Sequence, residues 1–261
     1  MGELVSIITP SYNTAEFIAD TIRSVQAQTY TNWEMIIVDD CSTDNSDEVV
    51  SAFLSDARII YVKNEKNSGA AVSRNRALAM AKGKWIAFLD SDDLWLPEKL
   101  QKQIAFMNEG GYHFSYTAYE EIDEASRQLG VLIEGPKKIT KRGMYNYCWP
   151  GCLTVMYDAE RVGVLQIEDM KKNNDYAMWL KVCKKADCYF LGECLARYRR
   201  GRSGSISTQS ISTLIKWHYK LYRYGDKRSA FTSGVLTARN IVFGFYKKIR
   251  YKKTVEIVGN E

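Results

Sequence analysis

Four short apolar runs recur through the first hundred positions: LVSIIT (4–9), WEMIIV (33–38), RIIYV (58–62) and KWIAFL (84–89). They are rich in Ile and Val, whose branched side chains suit a buried, pleated strand. Between them apolar residues fall at helical spacing: Phe17, Ile18, Ile22 and Val25, then Val49, Val50, Phe53 and Leu54, then Val72, Leu78 and Ala79. Asn13 with Glu16, and Pro97 with Glu98, mark expected helix starts. Strands apolar on both faces, alternating with helices, predict an α/β fold with a parallel sheet covered on both sides.

From about residue 112 the alternation loosens. YHFSYTAY (112–119) and LTVMY (153–157) predict strands of a mixed extension. DYAMWLKVCKKA (175–186) predicts an amphipathic helix with Tyr176, Trp179, Leu180 and Cys183 on one face. No repeat, low-complexity stretch or long linker divides the chain.

In a parallel sheet, ligands gather at the carboxyl ends of the strands. Three polar clusters fall there: PSYN (10–13), DDCSTD (39–44) and DSDD (90–93). They are expected to converge although the first and last lie 80 positions apart.

Composition adds limits rather than identity. The 261 residues are 46% hydrophobic and 26% charged, ordinary for a globular protein with a sizeable core. No apolar run approaches the roughly 18 residues of a membrane span, and no basic segment precedes an apolar one as in a signal peptide. Six cysteines form no CxxC pair and neither histidine lies near one, which predicts free cytosolic thiols and argues against zinc. A metal here would be a hard, oxygen-bound cation.

Asp90, Asp92 and Asp93 crowd into four positions behind a buried run, where repulsion and desolvation both cost free energy. Such a loop either caps the helix after Pro97 or holds a divalent cation against a phosphate. A second Asp pair at a neighbouring strand end favours the ligand. An ionised Asp39 could accept the imide N–H of a uracil, and Tyr12 offers an aromatic face for the base. Asp40 and Asp44 could instead cap the helix that carries Val49 and Val50. NSGAAVSRNRAL (67–78) puts Gly69 ahead of a helix bearing Arg74 and Arg76, by itself a weak phosphate signal.

VSIITPSYNTAEFIADTIRSVQAQTYTNWEMIIVDDCSTDNS, followed by NSGAAVSRNRALAMAKGKWIAFLDSDDLWLPEKL, resembles the N-terminal half of bacterial family-2 glycosyltransferases of the GT-A fold. The likeness runs nearly without gaps over residues 4–100. It implies a Rossmann-like, doubly wound nucleotide-diphosphate-sugar transferase. Pro10, Tyr12 and Asp39 would hold the base, and Arg74 would lie near the diphosphate or help shape that pocket. Asp90 and Asp92 would form the Asp-x-Asp pair on ribose and metal, Asp92 being the nearer ligand to Mg²⁺ or Mn²⁺. Cys41 stands where a small residue such as Gly is usual, which alters the turn.

The second half is similar more thinly. NDYAMWL (174–180) matches an acidic pair opening a helix, with Asn174 in place of the usual Glu. That places the catalytic base on Asp175; Glu168-Asp169 is a literal acidic pair without the helix signature and makes Asp169 the alternative. Asn174 could still donate to an acceptor hydroxyl, and Trp179 lies on the same helix. In RYRRGRSGSIS (197–207), Arg202 falls about where the family shows a His, and suits a diphosphate rather than a metal. Around NYCWPGC (146–152), Trp149 could stack on a sugar or belong to the core.

The resemblance implies an inverting transferase acting from a UDP-sugar on a glycan or lipid-diphosphate-linked acceptor in cell-surface polysaccharide synthesis. It divides the chain into a catalytic domain at 1–208, with a nucleotide half (1–100) and an acceptor half (101–208), and a basic helical extension at 209–261. A haloacid-type phosphatase would need Asp after the first strand, where this chain has TPSYN; a nucleotidyltransferase would want a Gly-rich basic loop there. A non-catalytic sugar-nucleotide-binding module is the remaining alternative.

The net charge of +5 is unevenly placed: residues 197–261 carry 15 Lys/Arg against 3 acids, while 1–196 carry 21 against 28. Val235, Ala238, Val242, Phe245 and Ile249 share a helical face flanked by basic residues, with Ile241 and Phe243 blurring it. The pattern predicts a cytoplasmic protein lying peripherally on the anionic inner face of the membrane through 235–253. Nucleic acid is not an expected partner, since no binding module accompanies the charge.

Overall fold

The computed structural model describes residues 2–201 and 210–256. The predicted alternation is present: β1 (Val5–Ser11), α1 (Ile18–Gln26), β2 (Trp33–Asp39), α2 (Ser46–Ser51), β3 (Ile59–Lys63), α3 (Ala70–Met80) and β4 (Trp85–Phe88). A short β5 (Leu94–Trp95) leads into α4 (Lys99–Gly110). The extension comprises β6 (Phe114–Ile122), β7 (Gln128–Ile133), β8 (Lys138–Ile139), α5 (Lys141–Asn146), β9 (Met156–Asp158), α6 (Ala159–Val162), α7 (Asn174–Val182) and β10 (Cys188–Arg199). Beyond it lie α8 (Ile211–Lys220), which widens into a π turn at Leu221–Gly225, then α9 (Ala230–Arg250) and β11 (Lys252–Thr254).

The sheet runs β11-β7-β6-β9-β4-β1-β2-β3, with β10 pairing β5, β6 and β8. β1 pairs in parallel with β2 and β4, and β2 in parallel with β3. β9 is antiparallel to both β4 and β6, so β6 again points the same way as β4. β6 and β10, parallel to each other, therefore bring their carboxyl ends to the edge where β1, β2 and β4 end.

Strand alternation sorts the core into two layers. Ile7, Met35, Ile37 and Ala87 face α1 and α4 through Ile22, Val25, Leu100 and Ile104. Ile8, Ile36, Val38, Ile86 and Phe88 face the other way, against α3, α7 and Leu236 of α9. Both faces of the central strands are thus dry, as their unbroken apolar runs require.

Two helix starts differ from expectation or refine it. α1 begins at Ile18 rather than near Asn13, because Asn13 takes a left-handed φ of 49°. Its Oδ1 accepts the Thr43 N–H at 2.9 Å, so it caps the neighbouring loop instead of its own helix. α4 starts at Lys99, directly after the Pro97-Glu98 signal. It ends on Gly111 at φ 61°, a left-handed cap that favours glycine.

Trp179 and Trp149, both sugar-contact candidates, are core residues. Trp179 is wholly buried and meets Phe88 edge-on at 5.0 Å. One helical turn beyond Asp175, it lies beneath the sheet edge and closed to any ligand. Trp149 donates its indole N–H to the Gly143 carbonyl at 3.0 Å and packs against Tyr251 and Phe243 at 5.8 and 6.0 Å. It fastens α9 to the catalytic domain. All six cysteines are free thiols, and among the described residues no helix is long and apolar enough to cross a membrane.

Candidate active site

The loops after β1 and β2 are knitted together by polar side chains. Ser42 Oγ donates to Asp39 Oδ2 at 2.5 Å and accepts the Asn13 N–H at 2.9 Å. Asp44 accepts the N–H groups of Ala15 at 3.0 Å and Ser46 at 3.1 Å. Neither Asp40 nor Asp44 is the N-cap of α2, which is Asn45 without a side-chain cap bond; Asp44, one position before it, still takes the first backbone N–H of the helix. Asp40 lies on the other side of the strand and accepts from Asn64 Nδ2 (2.9 Å), Ser68 N (2.9 Å) and Gly69 N (2.7 Å). Those two backbone donors converge because Gly69 turns at φ 90° ahead of α3. Asp40 therefore sets the approach to the helix that carries Arg74.

Asp39 is also wholly buried, and its second oxygen accepts the Ser42 N–H at 2.7 Å. In this structure it shapes the turn that Cys41 completes in a left-handed φ of 65°. Such a φ is easiest for Gly, so a thiol side chain here carries strain. Pro10 sits inside β1, opposite Val38. Its missing N–H costs no ladder bond, because the pairing with β4 ends at Ile8–Phe88. Tyr12, just past the strand, is 43% exposed at the mouth of the site.

Arg74 draws the rest together. Its buried guanidinium donates through one terminal nitrogen to Asp90 and through the other to Asn174. These residues come from α3, the loop after β4 and the first turn of α7. Burial alone would lower the Arg74 pKa, but Asp90, Cys152 and Asp175 outweigh it and the net shift is upward. Its Nε is buried with no hydrogen-bond partner. Asn174 is not placed as an acceptor contact. Its Oδ1 is held by Arg74 and its Nδ2 donates to the Met170 carbonyl at 3.5 Å, which leaves its amide buried in the site wall.

Asp175 follows it at the start of α7, within the field of Arg74 and Asp90, and accepts the Tyr176 N–H at 2.8 Å. Burial raises its pKa above the usual carboxylate value; Arg74 and that hydrogen bond oppose the shift. Asp169 is exposed, and the adjacent Glu168 pairs with Lys181 at 3.0 Å. Asp175 is thus the acid of the two that the fold brings to Arg74.

The three carboxylates of DSDD separate into three environments. Asp90 pairs with Arg74, with its side chain 30% exposed. Asp92 is half-buried at the loop tip. Asp93 turns inward, where burial and then the charges of Asp92 and Asp90 push its pKa well up. It accepts the Arg199 N–H at 2.9 Å, and its own N–H closes the turn on the Asp90 carbonyl at 3.1 Å.

Arg199, at the end of β10, was not legible as a site residue. Its Nε donates to the Asp92 carbonyl at 2.8 Å, and Nη1 reaches the carbonyls of Asp123 and Glu124 at 3.1 and 2.7 Å. It ties the acidic loop to the end of β6. The signal available was an arginine inside the YRR run (198–200) that closes a strand, three positions before Arg202. Arg202 lies outside the described residues.

Carboxylate oxygens suit Mg²⁺ or Mn²⁺. Among the described residues no three acidic, His or Cys side chains cluster tightly enough to cage an ion. A cation held by one or two carboxylates, its other ligands being water and substrate phosphates, needs no such cage; of the two acids expected to hold one, Asp90 is already paired with Arg74. Burial pushes the thiols of Cys148 and Cys152 well up, away from the thiolate form that a nucleophile needs.

The profile of glycosyl transferase family 2 matches residues 6–154, the span that holds every one of these loops except α7 and the end of β10. This chain belongs to glycosyl transferase family 2. It is 46% identical over 198 residues to TuaG of Bacillus subtilis, named for teichuronic acid biosynthesis, covering 75% of this chain and 79% of that one. It is 41% identical over 213 residues to WfgD of Escherichia coli, a UDP-Glc:α-D-GlcNAc-diphosphoundecaprenol β-1,3-glucosyltransferase, covering 81% and 82%. The fold matches S. aureus TarS 1-349, crystallised with UDP-GlcNAc, at a TM-score of 0.73 and 19% identity over 94% of this chain and 73% of that one. The architecture is therefore GT-A, and the chain is a glycosyltransferase.

Proposed function

We propose that this glycosyltransferase moves a sugar, with inversion, from a UDP-sugar to a lipid-diphosphate-linked glycan in cell-surface polysaccharide synthesis. The carrying observation is Arg74, which joins the acidic loop after β4 to the first turn of α7 where Asp175 stands. A cation buried between those two elements suits a leaving diphosphate on one side and a base on the other.

Tyr12 offers its exposed ring to the base, and the β2 turn shaped by Asp39 and Asp40 walls the nucleotide. The unpartnered Nε of Arg74 is a donor for a diphosphate oxygen. Asp175 takes the proton of the acceptor hydroxyl as its oxygen forms the bond to the anomeric carbon. The bond from that carbon to the diphosphate oxygen breaks on the opposite face, and its electron pair leaves with the diphosphate. Arg74 stabilises the charge gathering there. Base help of this kind is worth roughly 10²–10⁴-fold. A divalent cation held by Asp92 and Asp90 would supply further positive charge to the leaving group.

Support for the donor and acceptor comes from WfgD, whose name specifies UDP-Glc and a diphosphoundecaprenol-linked acceptor. The test is transfer from a panel of nucleotide sugars to a diphosphoundecaprenol-linked amino sugar, with and without EDTA. UDP release coupled to a lengthened lipid-linked product, abolished by EDTA, is expected. A donor other than a UDP-sugar would overturn the nucleotide assignment, and full activity in EDTA would overturn the cation.

A further inference from the structure

α9 is turned inside out relative to an ordinary surface helix. Much of its inward face is small and polar: Ser233, Thr237 and Asn240 are buried beside Leu236, with Phe243 further along packed on the core, and Asn240 donates to the hydroxyls of Tyr176 and Tyr222 at 3.2 and 3.3 Å. Lys247 reaches inward too, donating to the Trp149 carbonyl at 2.7 Å. Its outward face is apolar: Phe231, Val235, Ala238, Val242, Phe245 and Ile249 are all exposed. Phe231 is 83%, Val242 65%, Phe245 55% and Ile249 86% exposed.

These six recur at steps of four and three residues, so at about 100° per residue they stay within an arc of about 80°. The stripe runs roughly 27 Å along the helix at 1.5 Å per residue. Phe243, which blurred this face in the sequence, turns inward and meets Trp149. Exposed Lys248 and Arg250 flank the C-terminal end of the stripe, and exposed Lys252 follows it, while Lys253 is paired with Glu134 at 2.7 Å. Among the described residues no protein surface covers the stripe, and large exposed apolar patches mark interaction sites.

We infer that the Phe231–Ile249 face of α9 docks the enzyme on an anionic lipid surface. An apolar stripe with a cationic rim, on a helix too polar on its other side to span a bilayer, is the makeup of an interfacial helix. A second copy of this chain would bring the same cationic rim against itself, which disfavours that occupant. The inward side of α9 binds Tyr176, the residue after Asp175. Docking through the outward side therefore sets α7 one helix layer above the lipid, where a lipid-linked acceptor presents its sugar. That last step rests on the acceptor proposed above; the docking itself does not.

The test is co-sedimentation of the full chain with vesicles of phosphatidylcholine and phosphatidylglycerol, against phosphatidylcholine alone. Wild type should pellet with the mixed vesicles and be released by salt. Phe245→Ser with Ile249→Ser should lower the bound fraction at least about tenfold, the scale set by two large apolar side chains. Lys248→Gln with Arg250→Gln should weaken the mixed-vesicle binding alone. Both double variants alter exposed positions, and unchanged UDP binding and melting temperature confirm their fold. Equal pelleting of wild type and the Phe245/Ile249 variant, or none by wild type, overturns the inference. So does a wild-type dimer that this variant dissociates in the absence of vesicle binding. If wild type binds vesicles but not UDP, the transferase reading fails and the docking stands.

Discussion

Arg199 holds Asp93 from behind the acidic loop: its backbone N–H donates to Asp93 Oδ1 at 2.9 Å while its Nε donates to the Asp92 carbonyl at 2.8 Å. The residues are 106 positions apart. Strand β10 thus fixes the loop that presents Asp90 and Asp92. Arg199→Met should lower stability by about 3 kcal/mol or more, as expected for losing a buried, multiply bonded charge. UDP-sugar binding should weaken with it. Arg199→Lys, with one donor centre in place of a planar fork, should rescue little, and calorimetry with donor titration checks both.

Asp93→Asn should be tolerated, unlike Asp92→Ala. Burial favours a protonated Asp93, and an amide Oδ1 can still accept from Arg199 N–H. The folded pKa lies above the unfolded value of about 4, so the wild type loses stability as pH rises from there. The stability of Asp93→Asn relative to wild type should therefore increase with pH above about 4, measured by urea unfolding across the range. Asp92→Ala should keep the melting temperature and abolish EDTA-sensitive turnover.

Much of this was legible because strand ends in a parallel sheet must share one edge. The runs ending at Thr9, Val38 and Leu89 put Tyr12, Asp39 and Asp90 at one sheet edge from the sequence alone. What stayed hidden depends on depth. Periodicity put Trp179 on the same helix as Asp175, but how far a helix sinks beneath a sheet edge is set by tertiary packing. Asn174 reads as a free polar residue until Arg74, 100 positions earlier, is seen to occupy it. Arg199 is hidden for a like reason: three of its guanidinium bonds go to backbone carbonyls, which carry no sequence signal.

Cys41→Gly should raise stability by up to about 1 kcal/mol, since φ 65° penalises any side chain and glycine gives back part of that as unfolded-state entropy. Thermal unfolding checks it; a lower melting temperature would show that the thiol's packing outweighs the strain.

Tyr12→Ala and Trp149→Ala should part cleanly. In the proposed binding mode the base stacks on exposed Tyr12, an interaction of about 1–3 kcal/mol per base, so Tyr12→Ala should weaken UDP binding about tenfold with little change in melting temperature. Buried Trp149→Ala should cost about 3–5 kcal/mol of stability and loosen α9.

The most direct test of the central claim is the transfer rate of Asp175→Asn, measured beside its UDP-sugar affinity and beside Asp169→Asn. Donor affinity should stay within a few-fold while transfer falls by about 10²-fold or more, the loss of a general base. Asp169→Asn should behave as wild type. Because burial raises the Asp175 pKa, wild-type transfer should decline on the acid side at a pH above the ordinary carboxylate value, and that limb should vanish in Asp175→Asn. Undiminished transfer by Asp175→Asn, or the loss appearing in Asp169→Asn instead, would contradict the account.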